Sequence, residues 1–225
     1  MFDAVVDFAA VRHLIWDLGG VLYQLDFPRF EQEMRALESG QGDRPFWYHT
    51  TSQPELFSQY ERGELPTAEF RQALRQQFAM AATDAEFDRA WNSILVGVFP
   101  DRLDVLTQLH AQNHRMAVLS NINELHLSHL ATECAPLFHL CDRCFFSFRM
   151  GCRKPEPEIF QKVLQETGFP QDRATLFVDD SPQNVEAAIA LGLQGLWLER
   201  SDWFGELAIG LGAEIGRKTV PSVLR

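Results

Sequence analysis

TLFVDDSPQNVEAAIALGLQGLWLE, residues 175–199, is the stretch on which the fold turns. TLFVDD (175–180) is a short, continuous apolar run closed by two acids, the pattern of a parallel strand covered on both faces. SPQNVEAAIALG (181–192) reads as a helix, with Ser181 as its cap, Pro182 at the first helical position and Gly192 as its stop. GLWLE (195–199) is a second buried strand. Strand, helix and strand in this order make a right-handed parallel crossover. Outward from it, HLIWD (13–17), RMAVLS (115–120) and RCFFSF (143–148) read as strands of the same kind. Helical stretches separate them. DRLDVLTQLHAQ (101–112) sets Leu103, Leu106 and Leu109 at three-residue spacing, and PEIFQKVLQETG (157–168) ends on Gly168. The expected class is α/β, a doubly wound parallel sheet.

About a hundred residues separate the first strand from the second, too many for one crossover. PRFEQEMRAL, PELFSQYERG, TAEFRQALRQQF and DAEFDRAWNSIL in that interval all show helical periodicity, and Thr83 with Glu86 forms a capping-box pattern. The reading is an α/β core (residues 1–24 and 97–225) carrying an inserted helical cap domain (25–96). Glu61-Arg62-Gly63-Glu64 reads as a charged turn between cap helices, and Trp47, Tyr48 and His49 as packing aromatics.

Composition narrows the partners. The formal charge of -11 repels nucleic-acid backbones and anionic membranes, so no nucleic acid and no membrane is expected as partner. The N-terminal segment has two acids and no early basic cluster, and the apolar runs are too short for a span, which predicts a cytoplasmic protein. Cys134, Cys141, Cys144 and Cys152 include one C-x-x-C pair, but no second pair or spaced histidines follow, so free thiols are expected.

In an open parallel sheet, functional groups collect beyond the carboxyl ends of the strands. Those ends supply Asp17 followed by Gly19 and Gly20, then Ser120 and Asn121, then Lys154, then Asp179 and Asp180. Three clustered carboxylates raise one another's pKa unless a cation sits among them, and hard oxygen ligands suit Mg²⁺. A hydroxyl, an amide and an ammonium beside them suit a phosphate.

WDLGGVLYQLD, VLSNIN, RKPEPEIF and FVDDSPQNVEAA resemble, in order, the four motifs of the haloacid-dehalogenase-like (HAD) hydrolases, from about residue 12 to residue 200. More narrowly they resemble the bacterial branch that includes α-glucose-1-phosphate phosphatases. The resemblance implies a Rossmann-like core with a helical cap, and Mg²⁺-dependent hydrolysis of a small phosphorylated metabolite, sugar phosphates among the candidates. It assigns Asp17 as the nucleophile that becomes transiently phosphorylated and as a metal ligand. The backbone carbonyl of Gly19 and the carboxylate of Asp180 are further ligands by the same carry-over, with Asp179 holding a metal-bound water. Ser120, Asn121 and Lys154 bind the phosphate. The family's usual acid–base Asp two residues after the nucleophile is replaced here by Gly19. That departure implies a leaving group needing little protonation, or, as the alternative, a catalytically impaired regulatory module that binds metal and phosphate. The oligomeric state and the role of the basic tail (216–225) are left open.

Overall fold

The computed structural model describes residues 6–39 and 54–215. The chain begins with strand β1 (His13–Trp16), a short β2 (Tyr23–Leu25), and four helices: α1 (Phe27–Arg35), α2 (Glu55–Glu61), α3 (Thr67–Phe78) and α4 (Asp84–Trp91). It continues through β3 (Leu95–Val98), α5 (Arg102–Ala111), β4 (Arg115–Ser120), α6 (Glu124–Phe138), β5 (Arg143–Phe146) and α7 (Ser147–Met150). The last elements are α8 (Pro157–Thr167), β6 (Thr175–Asp179), α9 (Pro182–Ala190), β7 (Gln194–Trp197) and α10 (Phe204–Gly210).

Five strands form one parallel sheet in the order β5-β4-β1-β6-β7. β1 is central, and the sheet grows outward from it in both directions. The carboxyl ends of β4, β1 and β6 therefore lie side by side at a switch point, where an open sheet makes its crevice. Side chains alternate between two apolar layers. Leu14, Trp16, Met116, Val118, Leu176 and Val178 face α5, α6 and α10, whereas Ile15, Ala117, Leu119 and Phe177 face α8 and α9.

Three expectations need correction in detail. The α5 stripe is Arg102, Val105, Leu106 and Leu109, with Leu103 exposed, because a 3.6-residue period carries every third residue off the face. Helix α6 and the antiparallel pair β2–β3 were not anticipated; the pair has a register shift at Gln24/Leu25 and is only three to four residues long. Ser181 starts α9 without a side-chain cap bond; Asp179 does that work, its Oδ1 accepting from the Ser181 N–H at 2.8 Å. A carboxylate two residues back is the stronger acceptor. By contrast, Thr83 and Glu86 form the expected capping box, and Gly168 ends α8 at φ 69°.

Helices α1–α4 fall between β2 and β3 and bury an aromatic cluster of Phe30, Phe57, Phe70 and Phe87 around Trp91. Trp91 also stacks on His126 of α6 (5.2 Å between centroids, 14°), joining that cluster to a helix of the α/β layer. Buried Arg102 donates from Nε to the Val21 carbonyl (2.8 Å) and lies 3.6 Å over Phe204, pinning the loop after β1. The four cysteines are free thiols, Cys134 and Cys152 buried and the other two half-buried. No helix among the described residues is long and apolar enough to cross a membrane. Trp47, Tyr48 and His49 and the tail 216–225 lie outside the described residues.

Candidate active site

The strand ends deliver the predicted groups to one place. Asp17 follows the last residue of β1, and its N–H is fixed by the Val178 carbonyl of neighbouring β6 (2.9 Å). Lys154 reaches the cluster from the loop between α7 and α8. Its ammonium donates to Asp17 Oδ1 (2.6 Å), Asp179 Oδ2 (2.6 Å) and the Leu119 carbonyl (2.9 Å), which uses all three of its protons. The lysine is 1% exposed and Asp179 0%, so these are buried charge-assisted bonds.

Asp17, Asp179 and Asp180 bring one carboxylate oxygen each within 4.8 Å of one another. Lys154 is the only cation bonded to this trio among the described residues, so the three carboxylates, when all are ionised, exceed it by two negative charges. The electrostatics follow. Burial, with the charges of Asp179 and Asp180 beside it, holds Asp17 well above the usual carboxylate range despite Lys154. Burial and the neighbouring Asp179 push Asp180 up to about 7. Burial alone would lower Lys154, but Asp17 and Asp179 outweigh it and its pKa is raised.

The two glycines differ in purpose. A Cβ on Gly20 would sit 2.3 Å from Asp180 Oδ2, and its φ of 75° disfavours any side chain, so glycine is what lets the acid approach the loop. A Cβ on Gly19 would meet only the end of Leu25 at 2.9 Å. Leucine thus occupies the space where a side chain two residues after Asp17 would extend. Asp26, the next acid along the chain after Asp17, caps α1 by accepting from the Arg29 N–H (2.9 Å).

Asn121 follows the last residue of β4. Its side-chain amide is spent on Lys154: Nδ2 donates to the Lys154 carbonyl (2.9 Å), and Oδ1 accepts from the Lys154 N–H (2.8 Å). This clamp sets the loop that carries the ammonium. Buried Ser120 ends β4 on the cleft wall.

Three cleft residues have no site role in the sequence reading: Arg153, Glu61 and His126. Arg153 reads as a solvated turn beside Lys154, yet its Nε lies 3.0 Å from Glu61 Oε2, and Glu61 is 2% exposed. The pair ties α2 to the Lys154 loop. Arg62 adds a bridge to Glu156 (2.8 Å), and Gly63 presses so closely on the Phe148 carbonyl that a Cβ would lie 2.1 Å away. The charges of ERGE and RKPE were legible, but not their pairing across some ninety residues. His126 also lines the cleft. Its ring bonds Asn123 and the Trp91 carbonyl (3.1 Å each), and burial lowers its pKa to about 4.

An open α/β sheet with a lysine-bridged acidic centre at its switch point defines a fold and site suited to a cation and a small anionic ligand. The chain belongs to the haloacid dehalogenase-like hydrolases, whose family model matches residues 11–192. It is 30% identical over 211 residues to the D-ribitol-5-phosphate phosphatase of Bacteroides thetaiotaomicron, covering 90% of this chain and 100% of that one. It is 28% identical over 189 residues to the sesquiterpene phosphatase astK of Aspergillus oryzae, covering 83% of this chain and 89% of the relative. Among solved structures, wild-type HAD family enzyme bt-2542 of B. thetaiotaomicron, in complex with magnesium and inorganic phosphate, superposes with a TM-score of 0.71. That match has 29% identity and covers 83% of this chain and 93% of the other.

Proposed function

We propose that this chain is a Mg²⁺-dependent phosphomonoesterase of small phosphorylated metabolites, with Asp17 as the nucleophile. The observation that carries the reading is the Asp17–Lys154–Asp179 bridge beside Asp180 at the switch point. The donor set fits the metal: three hard carboxylates facing a single ammonium, and a glycine that lets Asp180 close in. Asp17, Asp180 and the Gly19 carbonyl would hold Mg²⁺, with Asp179 supporting a water on it. Bound Mg²⁺ supplies the neutralisation that allows an anionic carboxylate to approach a phosphate.

This chain's own groups do the rest. Lys154 grips one oxygen of Asp17 and leaves the other to attack phosphorus. The Ser120 hydroxyl and the Asn121 backbone N–H hold non-bridging oxygens, and Asn121's side chain fixes the lysine loop. As the Asp17–phosphorus bond forms, the ester bond breaks and the alkoxide takes a proton from water, since Gly19 offers none. Water then attacks the phosphorus of the acyl phosphate and returns the free carboxylate. Residues 25–96 act as the cap over a core of 1–24 and 97–225.

The similarity to the ribitol-5-phosphate phosphatase supports a sugar or polyol phosphate as substrate; that to the sesquiterpene phosphatase supports the phosphate of an apolar alcohol. Gly19, backed by Leu25, is the one feature favouring a binding module without turnover. The test is phosphate release from p-nitrophenyl phosphate with and without Mg²⁺, in wild type and Asp17→Asn. Turnover lost in the variant supports the reading. A phosphate-induced melting shift with no turnover on any phosphoester would favour the module.

A further inference from the structure

Past the phosphate-facing groups, the cleft wall carries six apolar side chains. Leu25, Phe27, Ile94, Leu95, Ile122 and Leu130 line it. Leu25 lies against Gly19, so this wall reaches the loop that directly follows Asp17. Of the polar side chains that share the wall, the Ser181 hydroxyl and Asn184 Oδ1, beside Asp179 and Asp180, have no hydrogen-bond partner, and most of the others are turned to partners inside the protein. The Tyr23 hydroxyl donates to Glu133 (2.8 Å). Both ring nitrogens of His126 are engaged by Asn123 and Trp91. Glu61 and Arg153 set their charges against each other at 3.0 Å. Asn184 donates to Asp179 (3.0 Å).

We propose that the site selects phosphomonoesters of apolar alcohols, carried in the chamber formed by Leu25, Phe27, Ile94, Leu95, Ile122 and Leu130, and discriminates against polyol phosphates; this rests on the phosphatase reading above. The chemistry is selective for a plain reason. A sugar or polyol entering this chamber strips water from several hydroxyls, and the described wall returns few hydrogen bonds for them. A hydrocarbon pocket discriminates against a single added hydroxyl by up to about a hundredfold, and a polyol adds several. An apolar chain gains instead from the area it removes from water. No new bond chemistry is involved: the ester P–O bond breaks as the bond to Asp17 forms, and the leaving oxygen is protonated by water.

The deciding comparison is hexyl phosphate against ribitol 5-phosphate, measured as kcat/KM on the full chain with Mg²⁺. Both are esters of primary alcohols, so the proton that Gly19 does not supply is lacking equally for the two; the polyol is the slightly better leaving group, so electronic effects oppose the expected order. The expected result is at least about a hundredfold preference for hexyl phosphate, narrowed tenfold or more by Leu95→Asn. Equal rates, or a preference for ribitol 5-phosphate, would overturn the proposal whatever the variant does. Hydrolysis of p-nitrophenyl phosphate checks the underlying reading separately. Should no ester be hydrolysed, that reading fails, and calorimetric binding of the same two esters to Asp17→Asn protein with Mg²⁺ decides this one. Tighter binding of hexyl phosphate by tenfold or more upholds the apolar chamber, and a smaller preference sinks it.

Discussion

Replacing Lys154 by Met removes one ammonium and leaves two carboxylates behind. In the folded protein, Nζ bonds Asp17, Asp179 and the Leu119 carbonyl at 2.6–2.9 Å, in a site where the lysine is 1% exposed. Methionine keeps the length and apolar volume of the stem, so the change is chiefly electrostatic. Taken singly, the lost charge-assisted bonds would be worth about 1.5–3 kcal/mol each. Some of that returns as the carboxylates take up protons or water, so the net expectation is that for breaking a buried pair, about 3–5 kcal/mol. For a chain of this size the midpoint should fall by roughly 10 °C. The assay is thermal and urea unfolding near neutral pH, with divalent cations removed by chelator. Arg143→Met is the control: its guanidinium pairs with Glu166 at the exposed surface (2.7 Å), and the midpoint should not move measurably. If Lys154→Met were as silent as the control, the Asp17–Lys154–Asp179 bridge would not be the buried charge centre described here.

The two glycines after Asp17 should respond differently to alanine. Gly20→Ala forces a Cβ into Asp180 at 2.3 Å with φ 75°, and should weaken Mg²⁺ affinity more than tenfold by calorimetry, whereas Gly19→Ala displaces only a leucine tip and should keep most of it. Asn121→Ala removes two bonds to the Lys154 backbone and should cost about 1–3 kcal/mol and lower kcat more than it raises KM; an unchanged kcat would refute the positioning role. His126 titrates at about 4 when folded, against roughly 6.5 when unfolded. The unfolded chain therefore binds the proton more readily, so this contribution is intact above pH 6.5 and lost as pH falls toward 4. The stability of wild type relative to His126→Gln should drop by about 2 kcal/mol between about pH 7 and about pH 5, and an NMR midpoint near 6.5 would contradict it.

Strand ends were legible because a parallel sheet covered on both faces writes itself as short apolar runs, and Asp17, Ser120 and Asp179 each terminate or directly follow one. Helix α6 was not, since its weakly amphipathic sequence carries Pro136 inside it and follows a cap, Asn123, easily taken for part of a turn. Short β2 and β3 owe their pairing to each other and not to an alternating pattern. At the site, charge and spacing identified the acids and the lysine, while the uses of Asn121, Arg153 and Glu61 depend on partners distant in sequence. Local pattern holds no record of such pairs, and a residue such as Arg153 beside Lys154 looks equally solvated.

The central claim is that Asp17 carries the phosphoryl group. Rapid acid quench of wild-type protein turning over p-nitrophenyl phosphate with Mg²⁺, followed by borohydride reduction and mass spectrometry of the tryptic peptide 13–29, reads it directly. The account predicts homoserine at the Asp17 position, dependent on both substrate and Mg²⁺. Turnover with Asp17 unmodified, or with the reduced residue at any other aspartate, would contradict it.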